Sequence, residues 1–254
     1  MKRKIIAVLA ASILLLCACG KTEASSPPPS TPQETVECIM ESIQNLDMET
    51  LNQYTDNYVQ TYDNWIGIPV ENEYRVFNEL LQPRSKQSKR YLANYHLDQK
   101  IIEHLTWEIT DVRENNDAAE LDMIITNIDM AKVMEQYESQ ILENILENPG
   151  LGFVQFAADM AELTAGKNTL ISIIDSLETS DLSVIQVTVS AYQDNGQWKV
   201  HLSQDFINAF LGNMFTNTYS ENIEQHTAHL EKQIEQKAEK WIESIEKDYD
   251  IERE

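Results

Sequence analysis

The hydrophobic pattern of the chain changes between two periods. In segments 105–125 and 182–203 apolar residues alternate with polar ones, which predicts β-strands with one buried face. Over 31–46 and much of 129–177 and 204–245, apolar residues recur every three or four positions, which predicts amphipathic helices. The order of these segments predicts an α+β fold in which a curved antiparallel sheet of two hairpins packs on an N-terminal helix, with further helices between the hairpins and a long C-terminal helix.

The hairpin within 182–203 has the clearest turn signal. Asn195-Gly196 separates its two alternating runs, and both residues tolerate the positive φ of a type I′ turn. That turn places Ala191 opposite Val200, so the turn and the apolar pattern select one register. The opposite face is predicted to be polar and to carry the pairs Tyr192 with Lys199, Ser190 with His201, and Thr188 with Ser203.

The hairpin within 105–125 has a longer polar connection. A turn at 115–117 pairs Ile109 with Leu121 and Trp107 with Met123, which keeps the apolar residues of both strands on one face. This register is the prediction for the first hairpin.

Helix starts are marked by capping residues. Thr31 and Glu34 form a capping box, and Asp47 and Asp129 are predicted to cap two further helices. The remaining predictions are a loop over 58–70, a helix over 74–81, and helices over 153–163 and 170–177 separated by Gly166.

A long amphipathic helix is predicted near the C-terminus. Its apolar residues from Tyr219 to Ile245 lie within about a third of a turn of one another at a period of 3.6, without a sustained heptad. We therefore expect this helix to dock on its own domain and not to form an intermolecular coiled coil.

The first twenty residues have the features of a bacterial lipoprotein signal. Basic residues at 2–4 precede an apolar stretch at 5–16, and the segment ends in Leu16-Cys17-Ala18-Cys19, which resembles a lipobox. Cys19 is predicted to become the lipidated mature N-terminus, because small Ala18 precedes it. Two or more acyl chains, such as palmitate, anchor a protein stably in a membrane. The predicted location is the extracytoplasmic face of a bacterial cell membrane.

The domain boundaries follow from these signals. A Ser- and Pro-rich stretch typical of an extended tether separates the anchor from the first helix. The predicted organisation is a signal peptide over 1–18, a lipidated cysteine and tether over 19–30, an α+β domain over 31–216 with a helical insertion over 130–178, and an acidic helix over 217–254.

The charge of the chain restricts its partners. The 42 acidic residues outnumber the 19 basic ones, and loss of the basic signal residues takes the formal net charge from −23 to −26. A chain with this much negative charge repels nucleic acid and anionic lipid. We therefore expect no nucleic-acid partner. Cys38 remains as a single thiol, which excludes an intrachain disulfide and a cysteine metal cluster. No cofactor is predicted.

Four features together resemble a known family. They are the lipobox, the helix beginning at Pro32, the strand 119–125 running into Asn127-Ile128-Asp129, and the strand pair ending at 197–200. This combination resembles bacterial lipoproteins of the nuclear-transport-factor-2-like, or cystatin-like, superfamily, many of them domains of unknown function. The resemblance implies a curved sheet wrapped around a helix, forming a cone with an apolar mouth. The helices of 130–177 and the C-terminal helix depart from the minimal pattern.

The sequence contains no recognised catalytic motif. In enzymes of the superfamily a carboxylate or histidine inside the cone acts as general base, and the candidates here are His201, Asp122 and Glu108. His226 and His229 lack a third ligand at a recognised spacing, so no metal site is predicted. We assign no catalytic residue. The candidate pocket-lining residues are Trp107, Tyr192 and His201.

Three functions compete. The leading hypothesis is a non-enzymatic binding or interaction module whose partner is an envelope protein or a small apolar ligand. The alternative is an enzyme of the isomerase or dehydratase type. A solute-binding component of a transporter ranks last, because that class usually has two lobes of repeated strand-helix units, and this chain groups its helices around two hairpins.

Overall fold

A computed structural model of the chain describes residues 28–63, 69–81, 86–147, 164–177, 181–215 and 221–251. The signal peptide, Cys19, most of the tether and the predicted helix over 153–163 lie outside these residues. The described helices are α1 (Pro32–Gln44), α2 (Met48–Tyr54), α3 (Asn78–Leu81), α4 (Lys89–Ile101), α5 (Met130–Glu147), α6 (Thr164–Ser176), α7 (Gln204–Phe210) and α8 (Glu221–Ile251). The described strands are β1 (Val59–Asp63), β2 (Pro69–Tyr74), β3 (Thr106–Asn115), β4 (Ala118–Ile128), β5 (Leu182–Asp194) and β6 (Gln197–Val200).

The main sheet is antiparallel, with strand order β3-β4-β5-β6. The α+β class, the two hairpins and the long C-terminal helix are confirmed. The sheet is uncurled, which differs from the cone that the family resemblance implies. Strong curvature needs bulges in the central strands. The ladder between β4 and β5 instead runs without a register shift from Ala118 paired with Tyr192 to Ile128 paired with Leu182.

The second hairpin has the predicted register. Ala191 pairs with Val200 and Tyr192 with Lys199. Asn195 and Gly196 have φ values of 51° and 79°, the left-handed backbone that a type I′ turn requires. The local turn chemistry therefore determines the pairing of these two strands.

The predicted register of the first hairpin is wrong. Trp107 pairs with Ile125 and Ile109 with Met123, two residues away from the prediction. The connection is a tight turn in which Asn116 has φ 53°, and a bulge follows Ile109. The bulge inserts one extra residue, so the apolar side chains still share one face although the turn is shorter than expected.

Three smaller predictions also need correction. The stretch predicted as a loop over 58–70 contains β1 and the start of β2, which pair as an antiparallel hairpin. Pro69 begins β2, a position where a proline costs no internal ladder bond. The helix predicted over 74–81 is shortened to α3, because Tyr74 belongs to β2. Gly166 lies within α6 and does not separate two helices.

The inner face of the sheet packs against α1 and α7. Ile39 and Ile43 of α1 are fully buried, as are Leu121 and Ile125 of β4. Burial of one such aliphatic side chain stabilises a fold by about 1.5–3 kcal/mol. In α7 the rings of Phe206 and Phe210 meet edge to face, with centroids 5.5 Å apart.

One junction joins β4, α5 and α7. Asn127 is fully buried; its side chain donates to the carbonyl of Phe210 at 2.7 Å and accepts from the amide of Ile128 at 2.8 Å. Gly212 has φ 64°, and a Cβ there would lie 1.8 Å from the carbonyl oxygen of Ile128. Only glycine fits this approach of two backbone segments.

The capping predictions are confirmed for the first two helices. Thr31 Oγ1 accepts a bond from the amide of Glu34 at 3.1 Å, and Asp47 accepts one from Thr50 at 3.1 Å. The Glu34 carboxylate accepts a hydrogen bond from the amide of Ser30 at 2.8 Å. The reciprocal bond of the capping box is therefore made one residue before Thr31.

The C-terminal helix α8 contacts α5, as expected for a helix docked on its own domain. Leu230 is buried, and the Lys237 ammonium donates to the carbonyl of Leu146 at 2.6 Å. Among the residues described, no helix combines the length and the apolar character needed to cross a bilayer.

Candidate functional site

The outer face of the main sheet is open to solvent. Its exposed side chains alternate with the core residues, as the hydrophobic pattern predicts. Val184 is 66% exposed and Tyr192 is 38% exposed, both on β5. A polar hollow of about 360 Å³ lies on the sheet where β3, β4 and β5 run side by side, lined in part by Thr110, Asp122 and Thr188.

The segment after α2 lies beside the end of β6. Thr55 forms a parallel bridge with Val200, and the amide of Asp56 donates to the carbonyl of Val200 at 3.2 Å. The Asn57 side chain makes two bonds to Leu202, accepting from its amide at 2.8 Å and donating to its carbonyl at 3.1 Å. The chain leaves β6 at this point, and Asp56 is held next to His201.

Asp56 and His201 form a carboxylate–imidazole pair. His201 Nδ1 lies 3.0 Å and 3.1 Å from the two carboxylate oxygens of Asp56, and the Asp56 side chain is only 20% exposed. An imidazole whose Nδ1 donates to a carboxylate presents Nε2 as the acceptor when it is neutral. Asn57 Nδ2 lies 3.5 Å from that Nε2. The His201 side chain is half exposed.

Tyr192 belongs to the same cluster. Burial raises the pKa of its hydroxyl, and the charge and hydrogen bond of Asp56 raise it further. Asp56 therefore contacts two of the three predicted pocket-lining residues, Tyr192 and His201, and joins them into one site. The site can donate hydrogen bonds to a partner, or accept a proton at Nε2.

Trp107 lies apart from this cluster. Its pairing partner Ile125 is fully buried on the inner face, and its indole Nε1 donates to Glu37 of α1 at 3.1 Å. The structure therefore brings together Tyr192 and His201 but places Trp107 against the helix that covers the inner face.

The two carboxylate candidates for a general base lie on the open face. Arg113 donates to both oxygens of Asp122, at 2.8 Å for the Nη2–Oδ1 bond, and Thr188 donates to Oδ1 at 2.7 Å. These bonds hold the pKa of Asp122 well below its usual range, so this carboxylate stays ionised and is a weak base. Glu108 is exposed on β3.

The described residues contain no cluster of three or more histidine, cysteine or acidic side chains suited to a metal. His226 and His229 have separate neighbours, Glu143 at 3.3 Å and Gln233 at 2.6 Å. The thiol of Cys38 is half-buried, and burial raises its pKa. A raised pKa disfavours the reactive thiolate.

Sequence reasoning missed Asp56 and Asn57. They are 145 residues from His201 and Leu202 in the chain, and neither lies in a recognisable motif. Comparison of the chain with protein-family models, with curated proteins and with solved structures finds no match.

Proposed function

We propose that the chain is a lipid-anchored, extracytoplasmic binding module that contacts an envelope protein through the open face of its sheet. We propose that this module belongs to the nuclear-transport-factor-2-like lipoproteins that its sequence resembles, although its sheet is uncurled. The observation that carries it is the exposed outer face of β3–β6, where apolar Val184 and the Asp56–Tyr192–His201 cluster face solvent together.

The chemistry of this face supports a protein partner with basic side chains. Asp111, Glu120 and Asp122 surround Arg113, the single cation in that group, so the face keeps an excess of negative charge. Acidic surfaces steer basic partners towards them, and the attraction weakens with salt. The hollow on this face is lined mainly by polar groups, which favours a protein surface over a small apolar ligand.

The anchor sets where this contact takes place. Cys19 carries the predicted acyl chains, and the stretch from residue 20 to residue 30 contains three consecutive prolines. An extended chain of this length spans up to about 35 Å. The domain can therefore reach an envelope protein while it stays on the membrane.

Site-specific crosslinking on whole cells tests the partner. A photoreactive amino acid replaces Gln186 on the open face, and the same replacement of exposed Gln225 on α8 is the matched control. We expect a discrete crosslinked protein from position 186 that weakens as salt rises and is absent from position 225. Equal products from both positions, or none from position 186, contradict the proposal.

The anchor has its own test. Mass spectrometry of the mature chain is expected to find an acylated Cys19 at the N-terminus, and Cys19→Ser is expected to release the protein from membranes. An unacylated chain beginning at another residue removes the anchor but leaves the sheet face to be tested separately.

A second candidate function is general acid–base catalysis. The Asp56–His201 pair is the observation that favours it, because a carboxylate orients the imidazole and its Nε2 can take a proton. Turnover of isomerase or dehydratase substrates that is lost in His201→Gln and kept in His229→Gln would establish it. Identical turnover in both variants would remove it.

A further inference from the structure

One face of α4 carries two buried polar side chains one helical turn apart. Asn94 is 2% exposed and Asp98 is 9% exposed. Asn94 Nδ2 and Asp98 Oδ2 are both buried, and neither has a hydrogen-bond partner in the described part of the chain. Buried polar atoms without partners are rare in folded proteins because each one costs about 1–3 kcal/mol.

Charged groups from two other helices face Asp98. Half-buried Glu79 of α3 repels its charge, and Lys167 of α6 attracts it. Lys167 donates its hydrogen bond to Asn94 Oδ1 and not to Asp98. Burial raises the pKa of Tyr58, and Tyr74 and Asp98 raise it further. The Tyr58 hydroxyl donates to the carbonyl of Val76 at 2.8 Å.

These surroundings favour the neutral acid. Burial raises the pKa of Asp98 to about 7, Glu79 adds to the rise, and Lys167 opposes it. A carboxyl group with this pKa changes charge near neutral pH. When Asp98 is ionised, Glu79 repels it and Lys167 attracts it within the helix interface.

The helix that bears Glu79 is the element best suited to move. α3 has four residues, a single turn, and it follows Phe77, whose φ of 53° lies in the left-handed region. A bulky residue adopts that conformation only where packing enforces it, and Phe77 is 8% exposed. Release of α3 would allow Phe77 to relax.

We propose that Asp98 is a proton-controlled switch: neutral Asp98 lets α3 dock on α4, and ionised Asp98 draws Lys167 away from Asn94 and displaces α3. Asn94 and Asp98 are neighbours at i and i+4, about 6 Å apart along the helix, which the flexible Lys167 side chain can cover. In the ionised state Lys167 offsets only part of the charge of Asp98, because the repulsion by Glu79 is the larger of the two effects. This remaining repulsion favours separation of α3 from α4.

Carboxyl NMR of the mature chain labelled with ¹³C-aspartate and ¹³C-glutamate tests the electrostatics. Asp98→Asn identifies the signal, which is expected to titrate near neutral pH. Glu79→Gln is expected to lower the midpoint and Lys167→Met to raise it, and Glu103→Gln, exposed two residues after the end of α4, is the matched control. A midpoint near pH 4, or shifts of the opposite sign, overturns the proposal.

Hydrogen exchange tests the movement. The amide of Leu80 donates to the carbonyl of Phe77 at 3.0 Å. After correction for intrinsic rates, protection of this amide is expected to fall at least about tenfold as pH rises through the midpoint, which corresponds to one pKa unit of coupling. In Asp98→Asn the protection should stay high at every pH. Unchanged protection in the wild-type chain overturns the proposal. If Asp98→Asn does not fold, the same measurement on Glu79→Gln decides, because without the repelling charge its protection should no longer fall.

Discussion

Asp122 and Asp98 are the same chemical group in opposite surroundings. Asp122 lies on the open face of the sheet, accepts bonds from Arg113 and Thr188, and has a pKa well below its usual range. Asp98 lies inside a helix interface, has a buried oxygen without a partner, and has a pKa of about 7. Hydrogen-bond donors and access to water decide the charge of a carboxylate.

The largest expected difference between Asp98 and Asp122 is in how each one makes the free energy of unfolding depend on pH. Because the folded state raises the pKa of Asp98 from 3.8 to about 7, the folded protein holds its proton more tightly than the unfolded chain does. The free energy of unfolding should therefore fall by up to about 4 kcal/mol as pH rises from about 4 to 7, and should level off above that. Asp98→Asn should remove this fall.

Urea denaturation at a series of pH values measures it. Glu103→Gln, an exposed substitution two residues after the end of α4, should keep the wild-type fall between pH 4 and 7. An Asp98→Asn profile that matches the wild type would show that Asp98 is ionised in the folded protein throughout this range.

A fully partnered buried group sharpens the comparison. Asn127 is fully buried, more so than Asp98, and makes two hydrogen bonds, to Phe210 and Ile128. Asn127→Ala leaves both backbone groups buried without partners and should lower the free energy of unfolding by about 3 kcal/mol. Urea denaturation measures this loss, and Asn52→Ala on the exposed side of α2 should change it by less than about 0.5 kcal/mol. Equal losses would mean that the buried bonds add little.

The exposed ion network should have a small effect. Arg113→Met removes the partner of Asp122, but the pair is open to solvent, so we expect a slight drop in the melting temperature that disappears in about 1 M salt. Because the folded pKa of Asp122 is lowered, any contribution is present above pH 3.8 and is lost as the pH falls below it. Thermal melts with and without salt measure this. A large, salt-insensitive drop would assign Arg113 a packing role.

The smallest predicted change tests the candidate site. Asp56→Asn removes a charge and a hydrogen bond beside Tyr192 and should lower the pKa of that hydroxyl, although burial keeps it above its ordinary value. Ring-carbon NMR of labelled tyrosine measures the shift, with Tyr192→Phe for assignment. Asp194→Asn removes a weaker contribution and should produce a smaller shift. A larger shift from Asp194→Asn would show that Asp194, and not Asp56, is the main acidic neighbour of Tyr192.

Local patterns predicted half of this site. Tyr192 and His201 are predicted on one face because Asn195-Gly196 sets the register of the hairpin. Asp56 is not predictable in the same way, since its position depends on a bridge between Thr55 and the end of β6. The first hairpin shows a related limit, because apolar alternation is unchanged by a shift of two residues and cannot choose between such registers.

The sequence by itself determined the elements of this protein: the period-two strands, the capped helices, the tight turn at Asn195 and the separation of an apolar from a polar sheet face. Each of these depends on residues within a few positions of one another. Only the tertiary structure decided that Asp56 meets His201, that Asp98 is enclosed between α3 and α6, and that the sheet is uncurled. These features depend on contacts between distant segments, whose pairing is set by the packing of the whole domain.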